Sequence, residues 1–466
     1  MMASLDLRRA AAPRRSRLAR AAAVAVLGAG LFALLPAHAA SFAEIFAAAR
    51  DYDAQYKASG YDLQSAKLAV PVARSALLPQ VGMAYSRSDV SGTRSFYNAL
   101  NQEVQVQLQY ASPQANLQVR MPLWNQEARA RYDQSQVQAD AAEQVYRSRG
   151  LELLDRVGTS YLQVLQALDA RGLAQTQLVA VQGQLDRAEQ RLKRGEGTRT
   201  DAALAQAAVD IAKAKVLEAD DQIQLARRTL RRLTGRDTQD LNQPAEDFKP
   251  GDLLPNRLTE WFDLAERNSP TIQARQQAVM AARLGVKRQE AGHMPRVDLY
   301  ASIARNENET LNNLGQTSVL KTMGVQVNVP LYSGGGVDAS VKQALADQSR
   351  TEEELRLERE SVQVEVQRNF QTVTTGPEKI EAYRRAVSSS EVAVTGAVRS
   401  QAAGLATTSD VLDAQARLYS AQRDLAQTRY DYLLAKLRLM AMSGLLVDDI
   451  VAELDRSLPV RVSSNP

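Results

Sequence analysis

No cysteine occurs anywhere in the 466 residues, which excludes a disulfide framework, a thiolate metal site and a lipid carried on an N-terminal cysteine. Histidine is nearly as scarce. Of the two present, His38 leaves with or borders an N-terminal leader, and His293 stands beside the helix-ending Pro295, a structural position rather than a catalytic one. With so few ligands and none clustered, an active site has little to be built from, so neither an enzyme nor a bound cofactor or metal is expected. Long apolar runs are also lacking beyond Ala21 to Leu35, and no later window could cross a membrane as a helix.

An excess of one charge is missing as well, once the leader is set apart. Arg8, Arg9, Arg14, Arg15, Arg17 and Arg20 precede that apolar run, and Ala37-His38-Ala39 offers the small residues of a cleavage site. Residues 1–40 therefore read as a signal peptide for the general secretory route. Without residues 1–39, which hold six arginines and Asp6, 57 basic against 53 acidic residues become 51 against 52. A near-neutral mature chain gives no reason to expect a nucleic-acid partner.

What the chain does contain is itself, twice. Gly195 to Gly235 aligns without a gap on Gly404 to Gly444, 209 residues later, with eleven identities in 41 positions, among them Asp201 with Asp410 and Ala205-Gln206-Ala207 with Ala414-Gln415-Ala416. Both carry apolar residues at alternating three and four spacing. Ala205, Val209, Ala212, Ala219, Ile223 and Leu230 fall in line in the first, and Ala414, Leu418, Ala421, Leu425, Tyr432 and Leu439 in the second. Small residues at such a seam suit a coiled coil, although the same spacing fits an ordinary bundle core.

The order of elements repeats too. A helix from Ser41 to about Ala76, with Gly60 and Pro71 as weak points, ends at Leu78-Pro79; alternation in Val81, Met83 and Tyr85 then predicts a strand. A polar loop is expected at Ser88 to Asn101. Val104, Val106, Leu108 and Tyr110 alternate as a strand extension or an ordered loop that Pro113 interrupts, and Leu117, Val119 and Met121 resume the strand up to Pro122-Leu123-Trp124. A helix of about 70 residues, roughly 100 Å long, runs to Arg194 and a shorter one returns from Asp201. The plan recurs from Leu258, with corners at Pro295 and Pro330 matching those at Pro79 and Pro122; Gly376-Pro377 is expected to break or kink the second long helix. The corner offset falls from 216 to 208, so the first loop is expected to be eight residues longer. The predicted divisions are 41–235 for the first copy with its hairpin at 79–122, 236–257 for a link, 258–444 for the second copy with its hairpin at 295–330, and 445–466 for a tail.

Each hairpin has one apolar and one polar face, as a barrel between lipid and water requires. Four strands cannot close, and open edges are not tolerated in lipid, so copies must associate: two would supply eight strands and three would supply twelve. Tyr85, Trp124, Tyr300 and Tyr332 lie near strand ends, where an interfacial aromatic belt belongs.

The leader, the doubled plan, the Pro-Leu-aromatic corners and the turns GEGTRTD (Gly195 to Asp201) and GLATTSDVLDA (Gly404 to Ala414) resemble the TolC family of outer-membrane factors, used in efflux pumps and type I secretion. The resemblance implies a mixed, mainly α fold. Three copies would form a twelve-stranded outer-membrane barrel continued by a helical tunnel, with link and tail as an equatorial belt. It implies a homotrimer in outer-membrane lipid, a periplasmic adaptor, and an inner-membrane exporter that is ABC-type or proton-driven. Acidic residues at this place line the narrowest part of the family's tunnel, which points to Asp410, Asp413 and Asp201. Rings of three carboxylates should raise their pKa values and attract cations. The alternative is helix capping, since Asp201 and Asp410 sit where helices begin. Family tips are also held shut by an arginine and a tyrosine, whose places here hold Ala406 and Gln401. Arg199 and Thr200 are the gating candidates instead, with Arg199 expected to pair with an aspartate across the tip. Gly195 and Gly404 are the turns on which an adaptor would pack. A structural coiled-coil scaffold or filament subunit is the competing reading, and it leaves the amphipathic strands without a role.

Overall fold

The computed structural model describes residues 41–461 except 238–239, 246, 252 and 311–312, so the leader expected at 1–40 lies outside the described residues. In the first copy α1 (Phe42–Tyr52) and α2 (Ala54–Ser75) lead into β1 (Gln80–Tyr97) and β2 (Glu103–Trp124), followed by α3 (Gln126–Lys193) and α4 (Arg199–Thr234). The second copy repeats this with α5 (Leu258–Asn268), α6 (Pro270–Glu290), β4 (Arg296–Thr310), β5 (Asn313–Asn328), α7 (Gly336–Ala402) and α8 (Thr408–Met442). Between the copies lies the two-residue β3 (Asn242–Gln243), and α9 (Val447–Arg456) and β6 (Val460–Arg461) close the chain.

The helix expected over Ser41 to Ala76 is two helices. Asp53 ends one and caps the next, accepting from the Tyr56 N–H at 2.7 Å while the Arg156 guanidinium donates to both its oxygens at 3.0 Å. The helix from Leu258 is divided likewise at Ser269, with Pro270 in the first turn of α6, where its missing N–H costs nothing. Gly60 and Pro71 leave α2 unbroken. The tail folds into α9 and joins the link directly: Asn242 pairs with Arg461 and Gln243 with Val460.

Helix α3 is the spine. It packs against α2 and α4 on one side and α6 and α8 on the other, while α7 lies against α6 and α8. The result is a wall in which each long helix runs beside two short ones, α2 on the strand side of α4 and α6 on the strand side of α8. The main core forms at mid-height, where Phe42, Tyr161, Leu230, Leu241, Trp261, Ile380, Tyr432, Ile450 and Leu458 meet. Here the Tyr161 hydroxyl donates to the Asn242 carbonyl at 2.7 Å and the Phe42 N–H donates to Asp455 at 2.9 Å, tying link and tail to the wall. Nearer the turns, the seam residues Ala205, Val209 and Ala212 bury against Val181, Leu185 and Ala188 of α3.

Helix α7 runs through Gly376-Pro377 without the break that this pair could have caused. Gly376 is a contact instead: a Cβ there would stand 2.6 Å from the ring of buried Tyr432. His293 pairs through Nε2 with Asp338 at 3.3 Å, fastening the β4 corner to the start of α7.

Candidate functional site

The four long strands form one antiparallel sheet in the order β1-β2-β4-β5, so β1 and β5 are free edges. Their register puts Val81, Met83 and Tyr85 on one face with Val119, Leu117 and Ala115, and Leu117, Val119 and Met121 in turn face Ile303, Ala301 and Leu299. Met323, Val325 and Val327 continue that face on β5. Over these residues it is apolar and open to the surroundings, with Met83 77% and Met323 80% exposed, and charges enter it only beyond them, at Lys321 opposite Ile303 and Arg305 opposite Ala115. Gln118, Arg120, Asp298, Ser302 and Gln326 occupy the other face, where Arg120 donates to Asp298 at 2.6 Å across the β2–β4 junction. A sheet with lipid on one side and water on the other has this arrangement.

Two expectations about the sheet change. Tyr300 does not belong to an outer belt: it stands opposite Gly324 on the polar face, its hydroxyl 2.9 Å from where a Gly324 Cβ would be. Trp124 ends β2 and Tyr332 follows β5, 50% and 88% exposed, whereas Tyr85, 66% exposed, lies inside β1, which continues to Tyr97. The region from Ser88 to Asn101 is strand rather than loop as far as Tyr97, and the β1–β2 register passes through Pro113 unshifted. Pro113 lies one residue beyond the stretch of β2 paired to β4, where β2 becomes an edge and a missing N–H is tolerated. Of the corner prolines, Pro79 and Pro295 directly precede strands, Pro330 follows β5, and Pro122 lies inside β2 at an irregularity before Trp124.

At the opposite end, the two helical turns agree hydrogen bond for hydrogen bond. Gly195 and Gly404 adopt left-handed φ of 75° and 76°. Glu196 N–H donates to Arg191 C=O and Leu405 N–H to Ser400 C=O, at 2.9 and 2.8 Å, closing a Schellman motif on each long helix. Capping boxes open the returning helices: Thr198 with Asp201, and Thr407 with Asp410. The Thr198 hydroxyl donates to Asp201 at 2.6 Å, and the Thr407 N–H and hydroxyl donate to Asp410 at 2.7 and 2.8 Å.

These bonds favour the charged form of both carboxyls. The Thr198 hydroxyl holds Asp201 below its ordinary value, against a smaller opposing effect of burial, with help from the Thr408 hydroxyl and Arg191. The Thr407 backbone N–H and then its hydroxyl hold Asp410 down. Asp413 is exposed one turn further on. Arg199 and Thr200 are exposed at the start of α4, and among the described residues Arg199 meets no carboxylate.

The contact joining the copies at the tip was not foreseen. Gln401, 4% exposed, accepts from the Gln184 amide at 2.8 Å and donates to the Thr408 hydroxyl at 3.2 Å. Arg191 donates to the Gln401 carbonyl at 2.8 Å, and Arg187 to Gln184 at 3.1 Å. Gln184, Arg187 and Arg191 come from α3, and Gln401 and Thr408 from the second copy, so this buried polar cluster fastens one helical hairpin to the other.

The model of the family described as outer membrane efflux protein matches residues 48–236 and 261–445, one segment in each copy. The chain belongs to that family. Proteases secretion protein PrtF of Dickeya chrysanthemi is 32% identical over 410 residues, covering 86% of this chain and 87% of its own length. Alkaline protease secretion protein AprF of Pseudomonas aeruginosa is 32% identical over 404 residues, with 85% and 83% covered. Outer membrane protein TolC of Escherichia coli is 28% identical over 439, with 91% and 86% covered. Among solved structures, CusC matches with a TM-score of 0.73 at 16% identity over 87% of this chain and 92% of its own. VceC of Vibrio cholerae matches with a TM-score of 0.73 at 20% identity, over 86% and 96%. These two share the fold. As a member of the family, the chain is an outer-membrane protein and an exit duct for three-part export.

Proposed function

We propose that three copies surround one axis, that the duct so formed passes secreted protein, and that it is closed at the helical turns. The observation that carries this reading is a single open amphipathic sheet joined to a doubled helical wall, each with two unpaired edges. Strand β5 runs against the direction of β1, so one copy's β5 can pair with the next copy's β1. Exposed apolar side chains stand on the helices at both ends of the wall: Tyr61, Leu68 and Val72 on α2, Leu217 and Leu225 on α4, and Leu345, Leu357 and Val364 on α7. Two copies would give an eight-stranded barrel, whose interior side chains fill it; three leave a lumen. The relatives named for protease secretion support a protein cargo over small-molecule efflux.

A periplasmic adaptor and an inner-membrane exporter complete this machine, and the duct itself carries out no chemistry. Gly195 and Gly404 shape the turns on which an adaptor packs. Asp413 is the foremost lumen residue, because no cap engages it, while Asp201 and Asp410 combine capping with a place at the constriction. Arg199 and Thr200 flank the same turn, and an Arg199→Ala variant with unchanged conductance counts against Arg199 as a gate. The test of cargo is expression in cells holding a protease exporter and adaptor without their outer-membrane component. Protease in the medium is expected; restored drug resistance without secreted protease would overturn the protein-cargo reading.

A further inference from the structure

The first hairpin outruns the second. Beyond the level of Ser86, Gln114 and Asn306, β1 and β2 remain paired up to Tyr97 and Glu103, whereas β4 and β5 end at Thr310 and Asn313. The excess is about seven residues, or roughly 23 Å at 3.3 Å per residue. Measured from the corners, five of the eight residues by which the offsets differ are additional ladder and three lengthen the turn Asn98 to Gln102, where Asn101 has φ 54°; the rest of the excess is stagger, since β1 begins level with Tyr300, four residues into β4.

The amphipathic sense of this ribbon is inverted. In the lower sheet the face of Val81, Met83, Leu117 and Val119 is apolar and the face of Gln114, Asn116 and Gln118 is polar. Above Pro113 the face continuous with Gln114 and Gln118 carries Tyr110, Leu108, Val106 and Val104, opposite Val90, Gly92, Arg94 and Phe96, so that Arg94 is its one charge, while Gln109, Gln107 and Gln105 continue the lipid side. No register shift intervenes in the β1–β2 ladder, so the exchange lies in the sequence and not in a bulge. The face that is polar in the four-stranded sheet becomes largely apolar in the two-stranded extension.

We propose that these ribbons form a cap over the outer mouth of the barrel, the three apolar faces packing on one another at the axis. The inference rests on the three-copy reading, in which whatever one chain turns toward the axis its two neighbours turn there too. A two-stranded ribbon is marginal in water by itself and needs a partner for its apolar face. Lipid is the wrong partner, since the side continuous with the lipid face is polar here. The other copies present the same apolar face at the same height. The cap is a second closure, at the end of the duct opposite the helical turns.

The chain has no native cysteine, so single cysteines report without background. In detergent-solubilised full-length protein, Leu108→Cys treated with a mild oxidant or a short bis-maleimide is expected to link two copies, leaving the third free, at least ten-fold more efficiently than Gln107→Cys on the opposite face. In planar bilayers, Val106→Ser with Leu108→Ser is expected to raise conductance several-fold, and Gln105→Ser with Gln107→Ser to leave it unchanged. Light scattering on each variant gives the copy number. Anything but three overturns the assembly reading and the cap with it. Three copies with no Leu108 link and no conductance change, or with Gln107→Cys linking equally well, overturn the cap alone.

Discussion

Asp201 and Asp410 illustrate how one residue type at one place can serve two purposes. Each completes a capping box on its own helix, which the spacing from Thr198 and Thr407 makes legible. Both carboxyls are held below the ordinary 3.8, so their contribution is complete above that value and is lost as pH falls through the depressed folded value. Asp201→Asn is therefore expected to speed hydrogen exchange of the first-turn amides of α4 several-fold at neutral pH, and to match the parent near pH 2; a difference that persists in acid would exclude capping as the cause. Gln401 was legible only as a departure from the family's tyrosine, because its partner Gln184 lies 217 residues away and glutamines in helices carry no pattern of their own. Gln401→Leu leaves the Gln184 amide and Thr408 hydroxyl buried without this partner, at a cost of about 1–3 kcal/mol. The tip should then be cut faster by protease. Because replacing both partners with apolar groups is cheaper than replacing one, Gln184→Leu with Gln401→Leu should recover part of the loss, the remainder being the contacts of Arg187 and Thr408. Additive losses in the double variant would mean that the two glutamines act separately.

Helices with strong periodicity and strands next to prolines could be placed from sequence, whereas two kinds of element were misjudged for physical reasons. The upper part of β1 hides its alternation because Ser88 to Ser95 holds one large apolar residue, Val90; the apolar pattern resides on β2, and only pairing makes the two halves one ribbon. Gly376-Pro377 carries the signature of a break, yet the long helix is fixed along its length by α6 and α8, and the glycine is needed for closeness. Gly158 on α3 is a milder counterpart, its added Cβ reaching Leu437 Cδ1 at 2.8 Å. The difference lies in what must move. Both neighbours are buried, but Leu437 meets the new atom with the end of a branched side chain that can turn, while the rigid Tyr432 ring is held by its hydroxyl, which donates to the Gly251 carbonyl at 3.2 Å. Gly376→Ala is expected to cost about 1–3 kcal/mol by overpacking, and Gly158→Ala distinctly less, in denaturant unfolding of the purified protein. Equal costs would remove the distinction between ring and side-chain end.

For the whole molecule, doubling was the most legible property, since it needs only a comparison of the chain with itself, and it carried the order of elements and the corners with it. What no single chain displays is how the edges meet, although parity constrains it. Within the sheet every pairing keeps Val81, Leu117, Ala301 and Met323 on the lipid side, and a slip of one residue at the seam would turn an entire strand's apolar set into the lumen. The seam between β5 of one copy and β1 of the next must therefore join lipid-side residues to lipid-side residues. Antiparallel neighbours bring facing Cβ atoms within disulfide reach only at matched positions. Chains carrying Met83→Cys with one of Met323→Cys, Val325→Cys or Val327→Cys are thus expected to yield a covalent ring of three on oxidation. Met83→Cys combined with cysteine at Gly324 or Gln326 should remain monomeric on a denaturing gel, because those positions face water. Efficient linking to Gly324 or Gln326 would mean that the seam breaks the alternation kept by the other three pairings, and the barrel would then have to close through a bulge at every subunit boundary.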